Sequence, residues 1–407
     1  MSDFINTIDA LGDDAVSDSL FERTITEFAD NTLTFIADHG FRSCELLEII
    51  NLPNVTELGS NTFNNCKSLH EVTLPSIEVI GDNAFEGCIG LKSIDLSTAT
   101  SVGSGIFKNC SEIENVQLPN ITELPADIYN GCTLLKDLDL SNVTTIGNGA
   151  FANCTSLSND DLYAPNLESI GIGSFNGCSL VDTVSFPSLT SITSNTEMPT
   201  FGNCPLLSTI DLPIITDVGK CAFYNCTGLT TVNLPMIDTI AERAFYNCKS
   251  LPIMASEKIT SIGDYAFRYC SKLTSVDFPN VESIGIGAFY NCTALTAINL
   301  PKLTTIGTEG FYLCSTLTKI DLPSVEFIGT SAFYHDRKLS TVIIRKPDVV
   351  LQDSNVFKNT LIESGTGYIY VPSEYIDTYR NATNWSKYSD QFRAIEDYPD
   401  ITGGVKW

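Results

Sequence analysis

The chain has 407 residues, 43% hydrophobic and 18% charged. That balance excludes intrinsic disorder and leaves room for two or three ordinary domains. Forty-nine acidic side chains against 23 basic ones set the formal net charge at −26, with no Lys/Arg run to offset it. Nucleic acid and anionic membrane surfaces are therefore poor candidate partners. No apolar run approaches the roughly 18 residues of a membrane span, so membrane insertion is not expected.

Residues 1–32 are polar and only partly in phase with the rest of the chain, which suits an N-terminal cap. The opening "MSDFINTIDALGDDAV" lacks the basic-then-apolar order of a secretory signal. A chain exported by another route, a trimmed signal and a chain that stays inside the cell all remain open.

Residues 33–360 repeat. Cysteines stand at Cys44, Cys66, Cys88, Cys110, Cys132, Cys154, Cys178, Cys204, Cys226, Cys248, Cys270, Cys292 and Cys314, and ten of the twelve intervals are 22 residues. Three residues before each is an aromatic, as Phe289 precedes Cys292, and this column continues without the thiol at Phe333 and Phe357. After the thiol come Leu295, Ile298, Leu300 and Pro301, then Leu303, Ile306 and Gly307, and the other units keep the same order. "TAINLP" alternates as a half-buried strand does, and its proline ends it. "LTTIG" reads as a second short extended piece closed by glycine at a turn. "GFYLC" has room for one helical or 3₁₀ turn. No unit can bury its own apolar face, so fourteen or fifteen coils must stack, each residue type layered on itself. The two long intervals add residues near 159–161 and 194–199, where surface loops are expected.

Residues 361–407 change character. "GYIYVPSEYIDTYRNATNWSKYSDQFRAIEDY" reads as a strand and one or two short helices, with Ser373 a plausible helix start. Trp385, Trp407 and six of the fifteen tyrosines lie here, as a cap over the last coil or as a docking module.

The unit L-x-x-[IV]-x-L-P-x-[ILV]-x-x-I-G-x-x-A-F-x-x-C, in phase over 33–357, resembles the BspA-type bacterial leucine-rich repeat. The resemblance implies a mostly β leucine-rich-repeat solenoid with a parallel sheet along one face and short turns elsewhere. It also implies adhesion or protein recognition at bacterial surfaces, and related arrays occur in gut bacteria, phages and protozoa. A shared scaffold does not carry a shared ligand.

Four features are candidates for chemistry. Thirteen thiols at one point of the coil, between apolar neighbours, fit packing better than disulfides or metal. Cys221 lies in another column, with Asn61, Asn83, Arg243, Tyr265 and Glu309, and that polarity predicts an exposed thiol. A polar column between the last two apolar strand residues includes Asp95, Asp139, Asp161, Asp211, Asn233, Asp277, Asn299 and Asp321. It is either a solvated face or a surface for a basic protein, a glycan or cations. A tyrosine row directly after the aromatic holds Tyr224, Tyr246, Tyr290, Tyr312 and Tyr334, interrupted by Arg268. Inter-coil stacking and a recognition surface both explain it.

His39, His70 and His335 fall in different coils, no phosphate-cradling loop forms, and no cofactor is expected. The reading is a non-enzymatic recognition protein for a protein or glycan on a cell surface. The alternatives are a phage virion component and an intracellular scaffold.

Overall fold

The computed structural model describes residues 24–118, 121–136, 138–158 and 162–402. The chain divides into two units, Met1–Leu207 and Ser208–Trp407. Most of the expected N-terminal cap, the insertion at 159–161 and Trp407 lie outside the described residues.

Each unit is a solenoid of parallel-stranded coils. In the first, three-residue strands Glu27–Ala29, Ile49–Asn51 and Glu71–Thr73 pair in parallel, as do Ser93–Asp95 and Asn115–Gln117. A second ladder of two-residue strands runs Phe35–Ile36, Glu57–Leu58, Val79–Ile80 and Ser101–Val102, and another runs from Glu123–Leu124 through Thr145–Ile146 and Ser169–Ile170 to Ser191–Ile192. Partners such as Ile50 and Val72 are one sequence period apart, so every column lies on itself. The register survives the 24-residue interval, where Ile146 still meets Ile170. At 194–199 the longer loop leaves the ladder at the surface. There the Asn195 side chain accepts from the backbone amides of Glu197 and Met198, and Ser194 Oγ accepts from Thr200 N–H.

The second unit repeats the plan. Thr209–Asp211 pairs with Thr231–Asn233, and Ile253–Ala255, Ser275–Asp277 and Ala297–Asn299 form one sheet. Lys319–Leu322, Thr341–Ile344, Tyr368–Val371 and Phe392–Ala394 form the last, so the ladder runs on past residue 360. The two-residue ladder extends from Thr239–Ile240 to Val350–Leu351.

The core is the set of inward columns. Phe63, Phe85 and Phe107 in the first unit, and Phe245, Phe289 and Phe333 in the second, are fully buried. Successive rings stack 5.1–5.9 Å apart within each unit. Such contacts contribute about 0.5–1.5 kcal/mol each beyond the area buried.

The third side, expected as an isolated helical turn, also bonds coil to coil. Asn61, Phe63 and Asn65 donate their N–H groups to the next coil, at the carbonyls of Asp82, Ala84 and Glu86. The amides between them, Asn64 and Cys66, close turns to Asn61 and Phe63. This alternation uses two left-handed residues per coil, here Asn61 (φ 57°) and Asn65 (φ 62°). Asparagine and glycine tolerate that conformation best. The glycine closing each short strand has another cause. A Cβ on Gly307 would lie 2.6 Å from the Gly285 carbonyl carbon, so the close approach of coils excludes a side chain.

After the last coil, the segment that follows the helix Ile376–Asn381 covers Phe357. Trp385 and Tyr388 meet its ring at 6.1 and 5.4 Å. Their polar ends are satisfied, with Trp385 Nε1 donating to Val349 O (2.7 Å) and Tyr388 Oη to Ser354 O (2.8 Å). No helix among the described residues is long and apolar enough to cross a membrane.

Candidate functional site

The tyrosine row is real in space and confined to the second unit. Tyr224 and Tyr246 stack at 4.8 Å, Tyr290 and Tyr312 at 4.6 Å, and Tyr312 and Tyr334 at 5.2 Å, with ring planes within 11° of parallel. All five are half-buried, so faces are covered by neighbours and edges reach solvent. The gap at Arg268 is bridged by a residue the column does not contain. Tyr269 stands edge-on to Tyr246 (5.5 Å) and to Tyr290 (5.8 Å).

Cations interleave with the rings. The Arg268 guanidinium lies 4.0 Å from the Tyr290 ring centre, 5.0 Å from Tyr269 and 5.2 Å from Tyr265. Arg243 sits 5.1 Å over Tyr265 and Lys358 5.6 Å over Tyr334. His335 closes the row, edge-on to Tyr334 at 4.4 Å. Burial, then the nearby Arg337 and Lys358, hold its pKa down. Burial pushes the phenols of Tyr246, Tyr290 and Tyr312 up, so all are neutral hydroxyls near pH 7. Column reading placed Tyr224, Tyr246, Tyr290, Tyr312 and Tyr334 together but missed Tyr265 and Tyr269. Their signal is tyrosine at positions that elsewhere hold mainly asparagine or glycine.

The Asp/Asn column lies on the outer face of the three-residue strands, mostly exposed. Its members bond to one another. Asn233 Nδ2 donates to Asp211 Oδ1 (2.7 Å) and Asn299 Nδ2 to Asp277 Oδ1 (2.6 Å). Both oxygens of Asp321 accept from Arg345. Asp95 accepts from Ser97 N–H (2.9 Å) and Asp139 from Ser141 N–H (3.0 Å), and these serine contacts hold both carboxyls below the usual range. Beyond Asp321 the column turns apolar. Ile343 and Tyr370 are covered by Ile395, with Ile401 packed alongside. Asp161 lies outside the described residues.

The thiol column is buried and unbridged. Its sulfurs also bond between coils: Cys66 Sγ donates to Phe41 O, Cys270 Sγ to Phe245 O and Cys314 Sγ to Phe289 O, at 3.0–3.2 Å, one coil earlier each time. Burial pushes these thiols up, Cys110 and Cys270 to about 12, so they are unreactive near neutrality.

Cys221 contradicts the expectation of an exposed thiol. It is 2% exposed, and burial raises its pKa. Its column is polar because it is left-handed: Asn61, Asn83, Arg243, Tyr265 and Glu309 all have positive φ, as does Cys221 (φ 59°). Polarity there reported backbone conformation, not solvent access. Among the described residues, no cluster of His, Cys, Asp and Glu could hold a metal ion.

The family model of the BspA type leucine rich repeat region matches in six copies, over residues 15–136, 78–198, 194–302 and 260–380. Among solved structures, a leucine-rich repeat protein from Bacteroides ovatus is similar at 32% identity, covering 74% of this chain and 79% of that one, with a TM-score of 0.67. A leucine rich cell surface protein from Faecalibacterium prausnitzii matches at 26% identity over 68% and 86% of the two chains, with a TM-score of 0.45. No curated protein matches the chain significantly.

Proposed function

The chain belongs to the BspA-type leucine-rich repeat family, and on that premise we propose that it is a non-enzymatic recognition protein. It binds a protein or glycan on a cell surface through the tyrosine row of its second unit. The observation that carries this reading is redundancy. The phenylalanine column already fills the core, yet a second aromatic column runs beside it with hydroxyl-bearing edges turned to water. Tyrosine in that setting is the amphipathic contact residue of recognition surfaces. The Asp/Asn column supports partner binding less well, because its oxygens are engaged by neighbouring side chains and turn amides.

The test is capture of the full chain on immobilised mucins, matrix proteins and bacterial envelopes. Wild type is compared with a Tyr290→Ser/Tyr312→Ser double variant and with Asp211→Lys/Asp277→Lys. Loss in the tyrosine variant alone supports the row. Loss in the charge-reversed variant alone moves the surface to the Asp/Asn column, and capture on none of these surfaces removes the recognition reading.

A further inference from the structure

One coil of the second unit is built unlike the others. At 263–270, "GDYAFRYC", both left-handed positions carry tyrosine, Tyr265 (φ 57°) and Tyr269 (φ 67°). No other coil among the described residues has aromatic residues at both. Bulky side chains adopt that conformation less readily than asparagine or glycine. The same coil breaks the tyrosine row with Arg268, although a tyrosine there would have continued the stack.

The three departures meet at one point. Tyr265, Tyr269 and Tyr290 surround the Arg268 guanidinium at 4.0–5.2 Å. Its Nη2 donates to Tyr269 Oη (3.2 Å), while its Nε is buried with no hydrogen-bond partner. Arg243, one coil away, is neutralised by Glu242 at 2.6 Å, but no carboxylate pairs with Arg268 among the described residues. A guanidinium has five donors in a planar fork that fits carboxylate or sulfate. Here the fork is held by stacked rings, so little entropy is lost when an anion arrives.

We propose that Arg268 and its tyrosine cage form a recognition point for one oxyanion, the carboxylate or sulfate of a terminal acidic sugar on an otherwise neutral glycan. This rests on the tyrosine row being the binding surface. The net charge of −26 disfavours polyanions, so the ligand carries a single localised charge. The flanking hydroxyls of Tyr246, Tyr269 and Tyr290 supply donors and acceptors for neutral sugar hydroxyls. Carboxylate and sulfate share this chemistry, and a sialylated and a sulfated probe separate them.

The experiment titrates the full chain with 3′-sialyllactose, 3′-sulfated lactose, lactose and a neutral peptide with a free C-terminal carboxylate, followed by calorimetry and saturation-transfer NMR. One or both acidic saccharides should bind at least about tenfold more tightly than lactose. That preference should vanish in Arg268→Tyr, which restores the row, and in Arg268→Gln, which keeps a long polar side chain without the charge. Thermal unfolding identifies a variant that fails to fold, in which case the other is read. Equal binding of lactose, an undiminished preference in the folded variants, or binding of no saccharide overturns the proposal. Binding of the peptide alone overturns the glycan class. Absence of an acid preference in the wild type, with cell-surface capture retained, sinks this inference and leaves the proposed surface standing. Unchanged capture in the Tyr290→Ser/Tyr312→Ser variant sinks the surface itself.

Discussion

The Sγ of Cys292 donates a 3.1 Å hydrogen bond to the backbone carbonyl of Phe267, one coil earlier. The same carbonyl accepts from Cys270 N–H at 3.1 Å, so both its lone pairs are used. The thiol is thus a small hydrophobe and the second donor that a buried carbonyl in this tight stack can reach. Cys292→Val removes the donor and fills the space with a slightly larger apolar branch, and Cys292→Ala removes both donor and volume. Denaturant unfolding should show losses of about 1 kcal/mol for valine and about 2 for alanine. A neutral valine variant would reduce the column to packing alone.

Burial of all fourteen cysteines, Cys221 included, makes a sharper statement about reactivity. A thiol reagent at neutral pH should find no fast-reacting sulfur in the native protein and all fourteen after denaturation under non-reducing conditions. A single fast native thiol, abolished by Cys221→Ser, would return Cys221 to the surface. A shortfall after denaturation would mean disulfides.

Where the thiol column ends, Asp336 takes its place, fully buried with neither carboxyl oxygen hydrogen-bonded. Burial raises its pKa well above 3.8, only partly offset by the Cys314 amide, which is committed to Phe311 O at 3.1 Å. The fold therefore holds the proton more tightly than the unfolded chain does. Stability from this site is complete below the unfolded pKa of about 3.9 and is lost as pH rises toward the folded value. Asp336→Cys should add about 1–3 kcal/mol at neutral pH and flatten the decline that sets in as pH rises above the unfolded pKa. Parallel pH profiles for the two proteins would show that Asp336 finds a partner on folding.

The core was readable because every coil sees the same surroundings. A column of Phe63, Phe85 and Phe107 at one spacing admits a single stacked arrangement, and the register of Ile50 on Val72 comes with it. The left-handed positions were not readable as such. Asparagine suits both solvent and positive φ, so Asn61 and Asn83 made the column of Cys221 look exposed. Tyr269 was missed for a related reason: it reaches Tyr290 from a left-handed backbone one residue off the row, and a column alignment cannot show that bridge. The Asp/Asn column was placed on the correct face, but the pairing of Asp211 with Asn233 depends on a 2.7 Å contact that residue type alone does not specify.

The tyrosine row can be divided into what stacking needs and what a partner needs. Tyr312 lies between Tyr290 at 4.6 Å and Tyr334 at 5.2 Å, with planes within 3° of parallel. Two ring contacts at about 0.5–1.5 kcal/mol each predict that Tyr312→Ala loses roughly 1–3 kcal/mol of stability. Tyr312→Phe keeps both stacks and removes only the hydroxyl at the exposed edge, so its unfolding midpoint should match wild type. If the edge meets a partner, Tyr312→Phe should still weaken cell-surface capture, by about two- to tenfold for one lost hydrogen bond. Equal capture and equal stability in Tyr312→Phe would confine Tyr312 to stacking. The phenylalanine variant therefore decides between the two readings, because it changes the outward chemistry of the row and leaves its inward packing intact.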